Sequence, residues 1–542
     1  MASKIPLLIS SRRVTRTTKV ALALALAPAL APATLRAQQS TTPAAAQWWH
    51  TVTVLAADSM HGRYTGSDDY VKAARYVAQQ FAALGLQPGG SGNTDFFQVA
   101  HLASATLITG RSGIVLERGG RVDTLQLGRD ATVQFKPTTE ASAEGPLVFV
   151  GYGLHLPGTY DDLAHVDLHG KVAVYLNRMP QGLSATMFAH GRASRWGELQ
   201  RLGAVAAIAI ANPAVAGRAG AAPPGGTPPR LRPVIGLAAD PANRGILINV
   251  NADAAERLFA GSGHTYAGVI ALSDAHTPLP TVSLEPRLRA SLEIDRKPVD
   301  SPNVVGILHG TDPALRDQYL VVSAHLDHLG FGRPVNGDSL YNGAMDNASG
   351  VATLIETARA FHDRNMHPRR SIIFLAVTGE EEGELGSAYF ATHPTVPAAQ
   401  IVADLNTDMF LPIIPLKGVF AYGVDESDLG KDVESVLKTR GLANIPDPEP
   451  AQVRFIRSDQ YSFIQRGIPA MAFKAGYTND SPEMKTVSEW LANRYHKPSD
   501  DLAQPVNLQC AADFDGMYFE IVRAVADRPT RPAWYSQSVF AS

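Results

Sequence analysis

Three glutamates stand side by side in "TGEEEGELGS", Thr378 to Ser387, with Glu384 one glycine further on, directly after the apolar run "SIIFLAV". Like charges packed that closely repel, so either water screens them on a solvated turn or a cation holds them. Other residues of the kinds that hold cations recur in the same part of the chain. "YLVVSAHLDH" carries His325 and Asp327 two apart, "GAMDNASG" carries Asp346 and Asn347, "IVADLNTD" ends in Asp408, and "RYHKPSDD" puts His496 in a polar loop. Singly, each has an ordinary reading: a satisfied histidine, a helix N-cap at Asp346 or Asn347, a turn cap at Asp408, a solvated glutamate run. Jointly, two histidines and several carboxylates match the mixed nitrogen and oxygen donor sets of zinc sites.

The elements that must position these residues are legible from the apolar pattern. From about Thr281 to Arg531 strands and helices alternate: "YLVVSAH", "SIIFLAV", "IVADLNTDM" and "IPAMAF" read as strands, "LGKDVESVLKTRG" as a helix. "SGVATLIETARAFH" also reads as a helix, with Val351, Leu354, Ile355, Ala358 and Phe361 on one face. That alternation predicts an α/β fold, a mixed, largely parallel sheet flanked by helices. Ligands of such sheets sit beyond the carboxyl ends of the strands, which is where the polar residues fall. Successive strand residues point to opposite faces, so Glu380 and Glu381 must lie on the turn after "SIIFLAV" to act together.

Upstream, "DDYVKAARYVAQQFAALGLQPGG" spaces Val71, Ala74, Val77, Ala78, Phe81 and Leu84 as one amphipathic helix with a glycine-rich end. From Gly145 short apolar strands follow one another, in "PLVFVGYGL", "GKVAVYLN", "AVAAIAIAN" and "GILINVN". The loop "PAVAGRAGAAPPGGTPPR" interrupts them. The pattern predicts a small β-rich domain over 145–275, inserted between two parts of a larger one at 38–144 and 276–531, with a tail at 532–542. The inserted segment lacks clustered His, Asp and Glu, so the chemistry belongs elsewhere.

In order and local context, "HLD", "MDNASG", "GEEEGELGS", "NTD" and "YHKPSD" resemble the motif set of the co-catalytic di-zinc aminopeptidases, the family that includes glutamate carboxypeptidase. "LAADSMHGRYTGSDDYVKAARYVAQQF" resembles that family's N-terminal helix region. "VGYGL", "YDDL", "VDLHGKVAVYL" and "INVNADAAERLF" resemble, less specifically, the protease-associated domain often inserted in it. The resemblance implies two Zn2+ ions bridged by Asp346, one completed by His325 and Asp408 and the other by Glu381 and His496. It implies Glu380 as general base, Asp327 as the acceptor of the remaining ring N–H of His325, and a cis peptide between Asp346 and Asn347. Tyr495 is a candidate donor to the tetrahedral intermediate, with plain packing as the alternative. Met345 and Gln460 depart from residues common in relatives; the first position is not a ligand, and the second leaves the substrate pocket open. Glu382 and Glu384 read as solvated.

The resulting expectation is a metallo-aminopeptidase acting on peptide substrates. Carboxypeptidase, dipeptidase or glutaminyl cyclase action on the same scaffold, and a non-catalytic receptor-like module, are the alternatives. Arg12, Arg13, Arg16 and Lys19 before "VALALALAPALAPA" predict a signal peptide over 1–37 and an exported, periplasmic or secreted protein beginning near Gln38, by a general or a twin-arginine route. Lys plus Arg number 48 against 51 Asp plus Glu, a formal net charge of −3 that argues for no nucleic-acid partner. No later run is long and apolar enough for a membrane span. Cys510, the one cysteine, excludes an intramolecular disulfide and reads as a buried small hydrophobe. Oligomeric state is not legible.

Overall fold

Continuous apolar runs such as Ser371–Val377, buried at every position, form the middle of a sheet covered on both faces. The computed structural model describes residues 42–211, 233–240 and 244–541; the expected leader and the loop from Pro213 to Arg230 lie outside the described residues. The first sheet has ten strands. At its centre Ser371–Val377, Tyr319–His325, Ile401–Asn406 and Ala470–Ala475 run parallel in that spatial order. Antiparallel neighbours flank them: Ile294–Leu308 and Phe97–Leu107 on one side, Gly418–Tyr422 on the other. The expected mixed sheet is thus present, its parallel pairing concentrated where crossover helices return the chain.

The helix Ser349–Asp363 buries Val351, Leu354, Ile355, Ala358 and Phe361, as its periodicity predicts. It packs against Pro43–Leu55 and Leu508–Asp527. Trp48 fixes this contact: its indole Nε1 donates to Ser349 O and Thr353 Oγ1, both at 3.2 Å. Phe410 meets Trp48 edge-on at 5.8 Å and stacks on Phe514 at 4.1 Å, joining helices to the end of a central strand. These contacts hold the start of the Ser349 helix, and hence Asp346, at the carboxyl edge of the sheet. Among the described residues no helix is long and apolar enough to cross a membrane.

A second, eight-stranded sheet has its own core, including Ile114, Phe149, Phe259 and Leu288. The four strands expected in the middle segment are in it, but so are chains on both sides of the 145–275 bounds: Gly113–Arg118, Arg121–Leu125 and Ala131–Gln134 before, Thr281–Ser291 after. Thr281–Ser291 alternates exposed and buried side chains and lies antiparallel to Gly113–Arg118, Ser291 opposite Gly113. Conversely, Val234–Leu237, inside those bounds, pairs with Phe97–Leu107 in the first sheet. Strand pairing across such sequence distances leaves no local signal, which is why composition alone placed the boundaries elsewhere.

Candidate metal centre

Parallel register sets three strand ends level. His325 lies opposite Val377, and Ser323 opposite Asn406. The residues just past those ends, Asp327 and His328, Thr378 to Glu384, and Thr407 with Asp408, therefore gather at one edge of the sheet. Asp346 joins them from the turn before Ser349–Asp363, and His496 from the loop after Pro482–Asn493.

The structure brings together all five expected ligands. His325 Nε2 lies 3.3 Å from Asp346 Oδ1 and 3.5 Å from Asp408 Oδ1. His496 Nε2 lies 3.1 Å from Asp346 Oδ2 and 3.2 Å from Glu381 Oε2. The two oxygens of Asp346 thus face two separate groups, which is what a bridging carboxylate requires. His325, Asp346 and Asp408 form one cluster with metal-ligand spacing; a second comprises His328, Asp346 and Glu381. His328 was not singled out from the sequence, yet it is fully buried, with Nδ1 2.7 Å from Glu381 Oε1 and its ring 5.9 Å from that of His496.

Whether these residues fit a metal is answered by what their atoms lack. His325 Nε2, Asp408 Oδ1, His328 Nδ1 and Glu381 Oε1 are all buried, and none has a hydrogen-bond partner despite the short separations. Atoms that approach closely without lining up with one another are aimed at common points between them. Leaving such groups buried and unpaired is costly, and a cation at each point satisfies them; the donor set, imidazole and carboxylate, is one that zinc accepts. The residues fit the group.

Charges confirm the mutual dependence. Burial by itself would raise the carboxyl of Asp346, but His325, His496 and His328 hold it well below the usual range. Burial would lower His496, yet Glu381 and Asp346 push it up to about 10. Burial lifts Glu380 well above the ordinary glutamate range, against the pull of His325 and with Asp408, Glu381 and Asp459 adding to it.

The turn that carries Glu380 and Glu381 is held by Asp327, whose role differs from the expected one. The carboxylate of Asp327 accepts from the backbone N–H of Glu380 at 3.1 Å and of Glu381 at 3.3 Å, and from Thr65 Oγ1 at 3.0 Å. It is 4.0 Å from His325 Nδ1, whereas the backbone carbonyl of Asp327 is 3.2 Å away. The ring N–H is therefore oriented by the main chain, because the side chain turns toward the glutamate turn. Asn347 links the other two loops: Nδ2 donates to Thr407 O at 3.0 Å, and Oδ1 accepts from Gly350 N at 2.9 Å and Met409 N at 3.2 Å. Its contacts bracket Asp408 from both sides. The expected cis peptide joins Asp346 to Asn347. A Cβ on Gly350 would sit 2.4 Å from Asn347 Oδ1 and 2.5 Å from Thr407 O, so only glycine lets these loops meet. Asp500 accepts from the backbone N–H of Met345 and Asp346 at 2.9 and 3.0 Å.

Arg63 is a second residue missed from the sequence. Fully buried, it donates to Leu326 O at 2.9 Å, Leu55 O at 2.5 Å, Asn342 O at 2.7 Å and Gly343 O at 2.9 Å. It thereby joins the His325–Asp327 loop to the segment leading into Asp346. Burial lowers its pKa to about 10, opposed by Asp327 and Asp500, so it stays charged at neutral pH.

Three further expectations resolve. Gln460 is fully buried, its amide held by Asn406 Nδ2 at 2.7 Å and Phe455 O at 2.9 Å, so its polar atoms are spent within the protein. Tyr495 is half-buried with its ring 3.9 Å from that of His496, and its hydroxyl is raised by burial and by Asp346, Glu381 and Glu380 around it. Glu384 is not a solvated residue: the turn tucks it half-buried at the start of Leu385–Thr392 with φ 60°, and burial with Asp459 pushes its carboxyl up to about 8. Glu382 is half-buried as well.

Residues 303–517 match the model of peptidase family M28. A probable zinc metalloprotease of Pyricularia oryzae is 40% identical over 113 residues, 21% of this chain and 21% of that protein. Leupeptin-inactivating enzyme 1 of Streptomyces exfoliatus is 26% identical over 238 residues, 42% of this chain and 50% of that protein. The chain thus spans between a fifth and a half of the length of these curated relatives. Among solved structures, an aminopeptidase from Aneurinibacillus sp. strain AM-1 is 18% identical with a TM-score of 0.47, covering 90% of this chain and 95% of that one. All five expected ligand residues, with Glu380, fall inside the stretch from 303 to 517 that matches the model of peptidase family M28.

Proposed function

We propose that the chain is an exported, zinc-dependent exopeptidase that removes residues from the free N-terminus of peptides. The observation that carries this reading is the convergence of buried, unpartnered nitrogen and oxygen atoms from His325, Asp408, His328 and Glu381 around the two oxygens of Asp346. Glu380 stands beside them, its carboxylate outside either cluster. His325 and Asp408 would hold one ion, Glu381 and His496 the other, and Asp346 both. When bound, two such ions supply Lewis acidity to a water and to the scissile carbonyl. Glu380 accepts the proton of the attacking water and delivers it to the leaving amine. Asp327, by holding the N–H groups of Glu380 and Glu381 together, keeps base and ligand in fixed relation. Tyr495 presents a hydroxyl beside His496 as a donor to the developing oxyanion. Export rests on the basic residues and apolar run at Arg12 to Ala33.

The test has two arms. Elemental analysis of the purified protein should find two zinc ions per chain, and peptides with a free N-terminus should be cleaved while their N-acetylated forms are not. Glu380→Gln should retain the metal and lose turnover by roughly 10²- to 10⁴-fold. Equal cleavage of blocked peptides, or full activity of E380Q, overturns the reading.

A further inference from the structure

Of the three histidines at the candidate metal centre, only His328 has both ring nitrogens buried and without a hydrogen-bond partner. The scheme above assigns it no ion. Its ring is held by shape instead. The backbone N–H of His328 donates to Arg63 O at 3.2 Å, and Arg63 donates to Gly343 O at 2.9 Å, so one arginine fixes the backbone on both sides of the ring. A Cβ on Gly343 would lie 2.4 Å from His328 Cγ and 2.6 Å from Cδ2, so the ring rests against backbone that only glycine leaves bare. Buried polar atoms are ordinarily paired. A ring packed this closely, yet bonded through neither nitrogen, is positioned for a group other than a protein donor or acceptor.

What the nitrogens face are carboxylates. His328 Nδ1 lies 2.7 Å from Glu381 Oε1, which is itself buried and unpartnered, so the two approach without aligning as donor and acceptor. With Asp346 they form a cluster whose ligand atoms all lie within 4.8 Å of one another. Glu381 Oε2, on the other side, is 3.2 Å from His496 Nε2, which is 3.1 Å from Asp346 Oδ2. Glu381 therefore turns one oxygen to each of two imidazoles, whose ring centres are 5.9 Å apart. Around Asp408 the donors are fewer: His325 and the other oxygen of Asp346 complete that group.

We propose that His328 is a direct ligand of the second ion, which then has four protein donors, His328, His496, Asp346 and Glu381, against three for the first, and so binds more tightly and loads first. Two imidazoles and two carboxylates make the closed donor set of a retained zinc ion, whereas three donors leave a position for water or substrate. The inference rests on the two-ion centre of the peptidase reading and adds a division of labour to it.

Two variants distinguish a ligand from a residue that steadies Glu381. Asparagine keeps an N–H near the place of Nδ1 but is a poor zinc ligand, while cysteine supplies a thiolate. In competition with chelators of graded strength, the wild-type zinc protein should release its ions in two steps roughly tenfold or more apart, and His328→Asn should weaken the tighter step by roughly a hundredfold, so that the steps merge or change order. In His328→Cys loaded with cobalt(II), a thiolate-to-metal charge-transfer absorption should appear in the near ultraviolet. Wild-type protein, whose Cys510 is 1% exposed within Leu508–Asp527, supplies the blank. A tighter step unchanged in H328N, or cobalt-loaded H328C without that absorption, overturns the proposal and leaves the peptidase reading standing. Release of both ions in a single step from the wild type overturns it as well, and a protein that binds no metal overturns it together with the peptidase reading. Should H328C take up no cobalt, the H328N titration decides.

Discussion

Replacing Arg63 by Met should destabilise the protein far more than removing any surface arginine. The guanidinium is fully buried and satisfies four main-chain carbonyls from three segments near the candidate metal centre: Leu55 at a helix end, Leu326 past a strand end, and the adjacent Asn342 and Gly343. Methionine fills much of the volume and supplies no donor. A buried carbonyl left unpaired costs about 1–3 kcal/mol, and stripping the counter-charge from buried carboxylates such as Asp327 and Asp500 costs about 3–5 kcal/mol. These contributions overlap, since water entering one gap serves neighbouring groups, so the expected loss is about 3–5 kcal/mol. That is a large fraction of the about 5–15 kcal/mol typical of a folded protein. Arg63→Lys keeps the charge but offers a point donor in place of a planar fork, and should recover roughly half of the loss. The control is Arg440→Met, which breaks a half-exposed pair with Glu520 at 2.8 Å and should cost under about 1 kcal/mol. Urea unfolding followed by far-ultraviolet circular dichroism, with chelator present so that metal binding does not contribute, measures all three. A cost for R63M no greater than that for R440M would refute the argument, by showing that water or neighbouring donors replace the guanidinium.

Two other outcomes follow from the same geometry. His328→Ala should weaken metal retention roughly ten- to a hundredfold in competition with a chelator, because Glu381 loses the ring that lies 2.7 Å from its Oε1; unchanged retention would remove His328 from the site. Cys510 is 1% exposed, and burial together with Asp513 and Asp515 pushes its thiol up to about 12, so a thiol reagent at pH 8 should label it only once urea has unfolded the chain, and fast labelling of native protein would contradict its placement.

His325, Asp408 and Glu381 were legible because each follows an apolar run long enough to be a central strand, and parallel strands deliver their ends to one edge. Asp346 and Asn347 were legible because the helix after them has a clean apolar face. His328 was not, although it stands one residue beyond Asp327. Alternation tells where a side chain points only while the strand lasts, and at His328 the chain has already turned, its N–H donating to Arg63 O at 3.2 Å. The same limit explains Asp327: i and i+2 share a face within a strand, but past its end the carboxylate swings to the glutamate turn. Glu384 was misread for a related reason, since four acids within five residues look solvated until the glycines at 379 and 383, both with positive φ, fold the turn back on itself. Arg63 is the clearest case. Nothing in "HGRYTG" distinguishes it from a surface arginine, because its partners at Leu326 and Gly343 belong to a part of the chain more than two hundred residues away. What a residue does is readable when its own element aims it, and hidden when a distant segment supplies the groups it must satisfy. The candidate ligands at the strand ends and before the Ser349 helix are of the first kind; His496, in a polar loop, was legible only through its motif, and Arg63 and His328 are of the second kind.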